Sequence, residues 1–447
     1  MENRRIRSRG IEVNTMAILD ASGFVKATQD LSDDRITFLE AVRSASLVPD
    51  NGIAPTYKMF EAIFQILKEE NSLELIMSSY QLLNELDKRY PRVYTSKVEL
   101  SKLPSPSNAP ELVVVEEAWS PFTFASDSER DGANKNSGES FDSTSLRNML
   151  LLQYLTSVLE GDFVPRYSIC KDIMNWNLLR ESLLNMLLGS RRISYKGLIK
   201  DCVSIMCEMS HVHTEISHDI RLPENSAVEQ LEDCDAAVAI SFPEVKKCTC
   251  IALQKLLLMA MELDTSKKKA DILGLTTRAD GLRTPAVEII QDELTYNRDA
   301  LFPFFQVFNE PKWKLELIIQ YFQKYIAKPS TRTRQSSDPI DDATYDGILK
   351  SFSNSNCAKN IIKKISAEVA QLLLAHAFQA YLSLSSQHSA EGICQSKEDV
   401  RESSLVEICK NIISAFTNLR RIDENMEILP FGKEALFTAA TILSTKS

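Results

Sequence analysis

Apolar residues recur at helical spacing through most of the chain, and this pattern constrains the fold more than any other feature. Past Glu40, for example, Phe60, Ile63 and Phe64 fall on one helix face, which continues to Leu67 in an i, i+3, i+4, i+7 pattern. No segment shows a convincing alternation of apolar and polar residues, as a half-buried strand would. Glycine, at 13 of 447 residues, is well below the usual level of about 7%, and helix stacks need fewer glycine turns than sheets. The chain is therefore predicted to be all-α.

The helices are predicted to form an irregular armadillo/HEAT-like stack of helical hairpins with long polar loops, because no strict repeat of about 40 residues is present. Glycines suited to a left-handed helix end predict that one helix stops at Gly161 and that another, over 174–188, stops at Gly189. Pro311 predicts a helix start. The predicted organisation is a mobile N-terminal tail (1–30), N-terminal helical hairpins (31–94), a polar linker with a docked aromatic segment (95–145), central helices (146–210), an acidic loop (211–245), a helical stack (246–328), a loop (329–345) and C-terminal helices (346–447).

Charge and cysteine content restrict the compartment and the partners. The net charge of −10 argues against attraction of the whole protein to nucleic acid, although local basic patches remain compatible with it. Nine cysteines without repeated spacing, and no Asn-x-Ser/Thr acceptor, indicate a reducing intracellular compartment. The most apolar stretch, at 251–263, is too short to span a bilayer. We expect a soluble protein.

No motif in the sequence predicts catalysis, a cofactor or a metal. Neither phosphate-binding glycine loop, GxxxxGK[ST] or GxGxxG, is present, and nucleophile-elbow, metalloprotease and kinase signatures are absent too. Cysteines and histidines cluster without the spacing of zinc knuckles, and we expect the two cysteines to lie on a buried helix face; the cluster comprises Cys202, Cys207, His211, His213 and His218. The chain is predicted to be a non-enzyme.

His376 shares an apolar helix face with Ile365, Val369 and Leu372. A buried, hydrogen-bonded histidine is the preferred interpretation of this pattern. A catalytic base is the alternative, because histidine titrates near neutral pH.

An apolar island lies inside the polar linker, at 111–124. Its aromatic residues either fold back on the core of the protein or anchor a partner, since large aromatic side chains dominate interfaces. The candidate partner-docking residues here are Trp119, Pro121, Phe122 and Phe124. Both alternatives predict burial.

Basic residues cluster in two strips of the sequence. They either belong to solvated helix ends and loops or form a local phosphate-binding strip, which would make direct DNA binding an alternative function. The candidate phosphate-contacting residues are Lys267, Lys268, Lys269, Arg278 and Arg283 in the first strip, and Lys328, Arg332 and Arg334 in the second.

Several unusual strings occur in an order that resembles the family of plant negative regulators of systemic acquired resistance. The matching segments span most of the chain and are EAVRSASLVPDNGIAPTYKMF (40–60), EEAWSPFTF (116–124), MNWNLLRESLLNMLL (174–188), MELDTSKKKAD (261–271), RTPAVEIIQDELTY (283–296), NEPKWKLELIIQYFQKYIAKP (309–329) and EILPFGKEALFTAA (427–440). Residues 1–30, 125–145, 211–250 and 385–403 depart from the family, so no site is carried over there.

The resemblance implies a nuclear, armadillo-like protein that represses defence genes and homologous recombination. It further implies a non-catalytic, non-SMC subunit of the SMC five–six chromosome-maintenance complex, which holds helical partner subunits, touches chromatin indirectly and restrains the DNA-damage response. Within the matched segments, the LPFGKE string supplies further candidates for domain packing or partner contact: Leu429, Phe431 and Lys433.

Overall fold

The computed structural model describes residues 12–19, 28–48, 52–91, 119, 143–173, 175–191, 193–216, 233–326, 344–390 and 398–446. Every regular element among these residues is a helix, and none of them forms a strand. The predicted all-α class is confirmed. None of the described helices combines the length and the apolarity needed to cross a membrane.

The chain divides into two compact units between Ile289 and Ile290, a point within helix α10. The first unit contains α1 (residues 12–19), α2 (Thr28–Ser46), α3 (Tyr57–Glu69), α4 (Leu73–Arg89), α5 (Ser143–Ile173), α6 (Trp176–Arg180), α7 (Leu183–Gly189), α8 (Tyr195–Ile216), α9 (Asp233–Ile272) and the start of α10 (Ala286–Tyr296). The second contains the rest of α10 and α11 (Leu301–Val307), α12 (Pro311–Gln323), α13 (Tyr345–Ser353), α14 (Ser355–Ile365), α15 (Ala367–Ala390), α16 (Glu398–Ile422) and α17 (Pro430–Lys446).

In the first unit, α5 is the central helix. It packs against α3, α4, α6, α7 and α9, while α8 packs on α9 and α2 packs on α4. Its apolar residues Leu151, Leu155 and Leu159 are completely buried, and so are Leu256 and Leu257 of α9. Each such leucine contributes about 1.5–3 kcal/mol through removal of apolar surface from water.

In the second unit, α15 packs against α12, α14, α16 and α17, and α16 also packs against α13, α14 and α17. Small buried residues such as Ala370, Ala375 and Ala377 let neighbouring helices approach α15 closely. Aromatic rings fill the space beyond, with Phe322 of α12 and Phe352 of α13 edge to face at 5.2 Å.

Local sequence explains several helix starts. The side chains of Asn175, Ser182, Thr344 and Asn354 each accept a hydrogen bond from a backbone amide in the first turn of the helix that follows. Pro311 occupies the first turn of α12, as predicted, where its missing amide hydrogen costs nothing.

Two helix ends differ from the prediction. The helix expected to stop at Gly161 continues to Ile173, although Pro165 lies inside it. Phe163 is buried beyond Gly161 and Asp162 bonds Arg166, so tertiary contacts extend the helix past both residues. The segment 174–188, expected as one helix, is divided into α6 and α7 by a new N-cap at Ser182.

The predicted tail and acidic loop are both partly helical, which corrects those two assignments. Residues 12–19 form α1 and α2 begins at Thr28, inside the supposed tail. Likewise α8 continues to Ile216, and α9 begins at Asp233, within the supposed loop at 211–245. A helix anchored by packing gains one hydrogen bond for each residue added, so it propagates into polar sequence that shows no apolar periodicity.

Candidate functional site

Two helices of the first unit, α5 and α9, run parallel and position the residues of the first basic strip. Gln153 donates to the Thr249 hydroxyl at 2.9 Å, Lys255 pairs with Glu160 at 2.8 Å, and Tyr167 donates to Glu262. Contacting residues thus advance together along both helices, so the two C-terminal ends lie side by side.

Asp264, near the end of α9, collects donors from three segments. Its carboxylate accepts from Arg283 Nε at 2.9 Å, from the Ala286 amide at 2.8 Å and from the Tyr195 hydroxyl at 3.0 Å. The Arg283 guanidinium also lies over the Tyr195 ring, 5.2 Å from its centroid. The Asp264 carboxylate thus caps the N-terminus of α10 through the Ala286 amide, and it holds Arg283 against α8 and α9.

A second carboxylate, Asp280, fixes the loop that follows α9. It accepts hydrogen bonds from Trp176 Nε1 at 3.3 Å and from the Thr277 amide at 2.6 Å, and it forms an ion pair with Arg180, whose Nε lies 3.2 Å away. Burial opposes ionisation, but the hydrogen bonds from Thr277 and Trp176, with Arg180, hold the pKa of Asp280 below its usual value. Lys267 donates to the backbone carbonyls of Asp280 and its neighbour at 2.8 and 2.5 Å.

We call Asp264, Lys267, Asp280 and Arg283 the charged clasp. Two of the candidate phosphate-contacting residues, Lys267 and Arg283, therefore already contact other groups of the same chain: backbone carbonyls for Lys267 and Asp264 for Arg283. Burial, and then the nearby Arg283 charge, lower the pKa of Lys267. The clasp ties the loop between α9 and α10 to the helices.

The other residues of the two basic strips are placed differently. Lys268, Lys269 and Arg278 are exposed. Lys328, Arg332 and Arg334 lie outside the described residues.

Beside the charged clasp, α5, α6 and α9 surround a groove of about 70 Å³. We call it the α5–α9 groove; its lining residues are Tyr167, Cys170, Lys171, Trp176, Thr265, Ser266, Lys269 and Ala270. Sequence reasoning missed it, because its residues come from three helices that are distant in sequence.

Trp119 is the described residue of the aromatic island, and only 3% of its surface is exposed. This burial is what packing on the protein's own core requires. Pro121, Phe122 and Phe124 lie outside the described residues.

In the second unit, the LPFGKE string packs on α15 and α16. The Gln371 amide donates to the Glu427 carbonyl at 3.0 Å, and its oxygen accepts from the Leu429 amide at 3.1 Å. A Cβ atom on Gly432 would lie 2.9 Å from the Phe416 ring, so a side chain there would collide with α16. We call Gln371 with residues 427–432 the amide clasp.

The remaining candidates of this string differ in exposure. Phe431 is half-buried, and its ring lies 5.5 Å from the ring of His376 and 5.5 Å from that of Phe302. Lys433 is exposed. Phe431 is therefore already engaged within the unit, whereas Lys433 faces solvent.

His376 is buried as predicted, but the predicted hydrogen bond is missing. Neither ring nitrogen has a hydrogen-bond partner in the described part of the chain. The ring instead packs against Phe305 and Phe431. Burial, and then the charge of Lys314, lower the pKa of His376 to about 4. Burial also lowers the pKa of Lys314 to about 8.

Cys202 and Cys207 lie on a buried face of α8, which confirms the placement predicted for them. Burial raises the pKa of the Cys202 thiol, so the thiolate that metals bind is disfavoured. Among the described residues, no three potential metal-ligating side chains converge.

Asp264, Asp280 and Gln371 organise both clasps, yet sequence reasoning missed all three. A signal existed for Asp280, because Thr277 and Asp280 have the spacing of a capping box, which the structure contains. Nothing in the local sequence marks Asp264 or Gln371, since their partners lie 19 to 69 residues away.

Comparison with known proteins finds similarity over nearly the whole chain. A family model described as the SNI1 middle domain matches residues 92–148 and 144–310, and one described as the SNI1 C-terminal domain matches residues 326–447. The chain is also 46% identical over 457 residues to the Arabidopsis thaliana protein named "Negative regulator of systemic acquired resistance SNI1". That alignment covers 98% of this chain and 95% of the Arabidopsis protein. No solved structure matches the chain.

Proposed function

Because this chain belongs to the SNI1 family, we propose that it is a negative regulator of systemic acquired resistance that acts as a non-catalytic scaffold. The observation that carries this proposal is 46% identity across 98% of the chain to the Arabidopsis protein of that name. Similarity over that length includes the segments that form both clasps.

The finer proposal is a nuclear subunit of an SMC five–six type complex, which holds helical partner subunits and restrains the DNA-damage response and recombination. In the described residues, the polar groups of the two clasps hold the chain's own loops and helix ends in place, as expected for a scaffold. The ionised side chains of the charged clasp stabilise a loop, and the amide clasp fixes the start of α17. Rigid helical units of this kind suit a protein that presents surfaces to partners.

Direct DNA binding is the second candidate function. The observation that favours it is that Lys268, Lys269 and Arg278 are exposed and form no ion pair among the described residues. If this function is real, changing all three to Glu should weaken binding of a DNA duplex and reduce the steepness with which the affinity falls as salt is added. Wild-type protein that does not bind duplex DNA at low salt would rule it out.

The scaffold proposal is tested in Arabidopsis plants that lack the related protein. Plants expressing this chain with a purification tag should regain repression of defence-gene transcripts, and SMC five–six subunits should co-purify from their nuclei. Restored repression without these subunits would contradict the complex but not the repressor role. Co-purification without restored repression would contradict the repressor role.

A further inference from the structure

The α5–α9 groove combines two unpaired cations with an apolar surface. Lys171 and Lys269 lie on opposite walls and are exposed, and neither forms an ion pair among the described residues. Lys171 contacts the Tyr167 ring at 5.1 Å, and the hydroxyls of Thr265 and Ser266 form no side-chain hydrogen bond in the described part of the chain. The two lysines and the two hydroxyls of Thr265 and Ser266 are therefore available to a ligand, whereas the Tyr167 hydroxyl and the Trp176 indole are already bonded within the chain.

Exposed apolar side chains continue both walls at the C-terminal ends of the two helices. Ile173 follows Cys170 by three residues along α5; Leu273, the residue directly after α9, follows Lys269 by four and donates its amide to the Lys269 carbonyl at 3.1 Å, so each lies on the side of its helix end that carries a groove residue. They are 55% and 57% exposed, and Ile272 beside them is 76% exposed. Large apolar side chains concentrated at the rim of a groove mark an interaction surface more often than scattered ones do.

We propose that the α5–α9 groove binds an acidic, amphipathic segment of a partner protein. Its apolar side chains would cover Ile173, Ile272 and Leu273, and its carboxylates would pair with Lys171 and Lys269. This inference rests on the scaffold role proposed above and assigns a surface to it.

The size of the groove and the groups in it select a protein segment over other ligands. About 70 Å³ is far below the 300 Å³ or so of typical small-molecule sites, so the space suits one inserted side chain. Phosphate backbones gain nothing from the apolar rim, and Trp176, at 3% exposure, offers no face for base stacking. A second copy of the chain would bring its own groove lysines against these, which like charges oppose.

The test starts with selection of random 12-residue displayed peptides on the full chain, compared with the double variant Lys171→Glu and Lys269→Glu. The wild-type protein should enrich peptides in which Asp or Glu flank Leu, Ile, Met or Phe at helical spacing, and the variant should not. Enrichment of the same peptides on both proteins, or of none, overturns the proposal.

The best enriched peptide, labelled with fluorescein, then gives affinities by anisotropy. The double variant should bind it at least 10-fold more weakly, and exchange of the peptide's acidic residues for Lys should restore binding to that variant. The matched control, Lys359→Glu with Lys363→Glu, changes two exposed lysines of α14 and should leave the affinity within twofold. An equal loss in the control would overturn the proposal.

A 30-base-pair duplex is the competing probe. If the double variant loses duplex binding and the duplex displaces the peptide, the groove is a nucleic-acid surface and the proposal fails. Failure here is distinguishable from failure of the scaffold role, which is read from co-purified SMC subunits. Selection can fail while wild-type protein still retains those subunits, and it can succeed while none co-purifies.

Discussion

The charged clasp and the amide clasp do the same structural task with different chemistry. Both attach a loop and the start of the next helix to a helix stack, one through ionised groups around Asp264 and the other through the neutral side chain of Gln371. An ion pair withdrawn from water depends on both partners, because removal of one leaves a charge that neither water nor protein compensates. A neutral amide costs less to bury, so the second clasp depends more on shape, as the contact at Gly432 illustrates.

The difference extends to pH. The charged clasp relies on carboxylates, and the pKa of one of them, Asp280, is held below its usual value, so Asp280 stays ionised further into the acid range than a free aspartate. The unit that contains the amide clasp holds His376, which is buried without a hydrogen-bond partner among the described residues and must stay neutral. The neutral clasp thus belongs to the unit that mild acid should weaken first.

The largest expected effect comes from breaking the charged clasp. Asp264→Ala should lower the free energy of unfolding of the first unit by about 3 kcal/mol, because Arg283 and the Ala286 amide lose their acceptor. Hydrogen exchange of peptides from α9 and α10 in urea measures the change. Glu160→Ala, which removes a more exposed pair with Lys255 in the same unit, is the control and should cost less than about 1 kcal/mol. Equal losses would contradict the clasp.

The next largest expected effect is a loss of stability of the second unit at mildly acidic pH. An unfolded histidine has a pKa of about 6.5, whereas the pKa of His376 is lowered to about 4. Between these values the unfolded state binds the extra proton, so the stability present above pH 6.5 is lost as pH falls towards 4. At pH 5 the second unit should be less stable by about 2 kcal/mol than at pH 7, since 1.5 pH units correspond to about 1.36 kcal/mol each.

Hydrogen exchange of α15 and α17 at pH 5 and 7, corrected for intrinsic exchange rates, measures this effect. His376→Leu is the matched variant and should remove most of the pH dependence. Lys314 does not contribute to the change in stability between pH 5 and 7. Its pKa is lowered to about 8, so its titration changes the stability between pH 8 and 10.5. An unchanged pH profile in the variant would assign the acid sensitivity to other groups.

The smallest expected effect tests shape in the amide clasp. Gly432→Ala should cost about 1.5 kcal/mol, because its new Cβ would lie 2.9 Å from Phe416. Gly161→Ala is the control: nothing lies within 4 Å of a Cβ there, so the change should stabilise helix α5 by about 0.5 kcal/mol. Thermal unfolding of both variants measures whether Gly432→Ala lowers the stability and Gly161→Ala raises it. A stabilised Gly432→Ala variant would show that close packing does not hold this clasp.

The two clasps also show why exposure cannot be read from a basic run. Lys267, Lys268 and Lys269 are consecutive, but Lys267 turns to the carbonyls of the following loop while its two neighbours face solvent. Consecutive helix residues point about 100° apart, and the loop that receives Lys267 is placed by Asp280 through α6. The charge pattern of the sequence was enough to locate the basic strip. Only the fold shows that Lys267 is engaged within the chain while Lys268 and Lys269 are exposed.

The sequence by itself determined the helical class, the buried stripes and helix signals such as the Pro311 start, because each depends on residues within one or two turns. It also determined membership of the SNI1 family. Tertiary structure decided that α5 continues past Gly161, that α9 begins as early as Asp233, and that α5 and α9 enclose a groove. These features depend on contacts between residues tens of positions apart, whose packing and ion-pair energies outweigh the local preferences that a sequence pattern records.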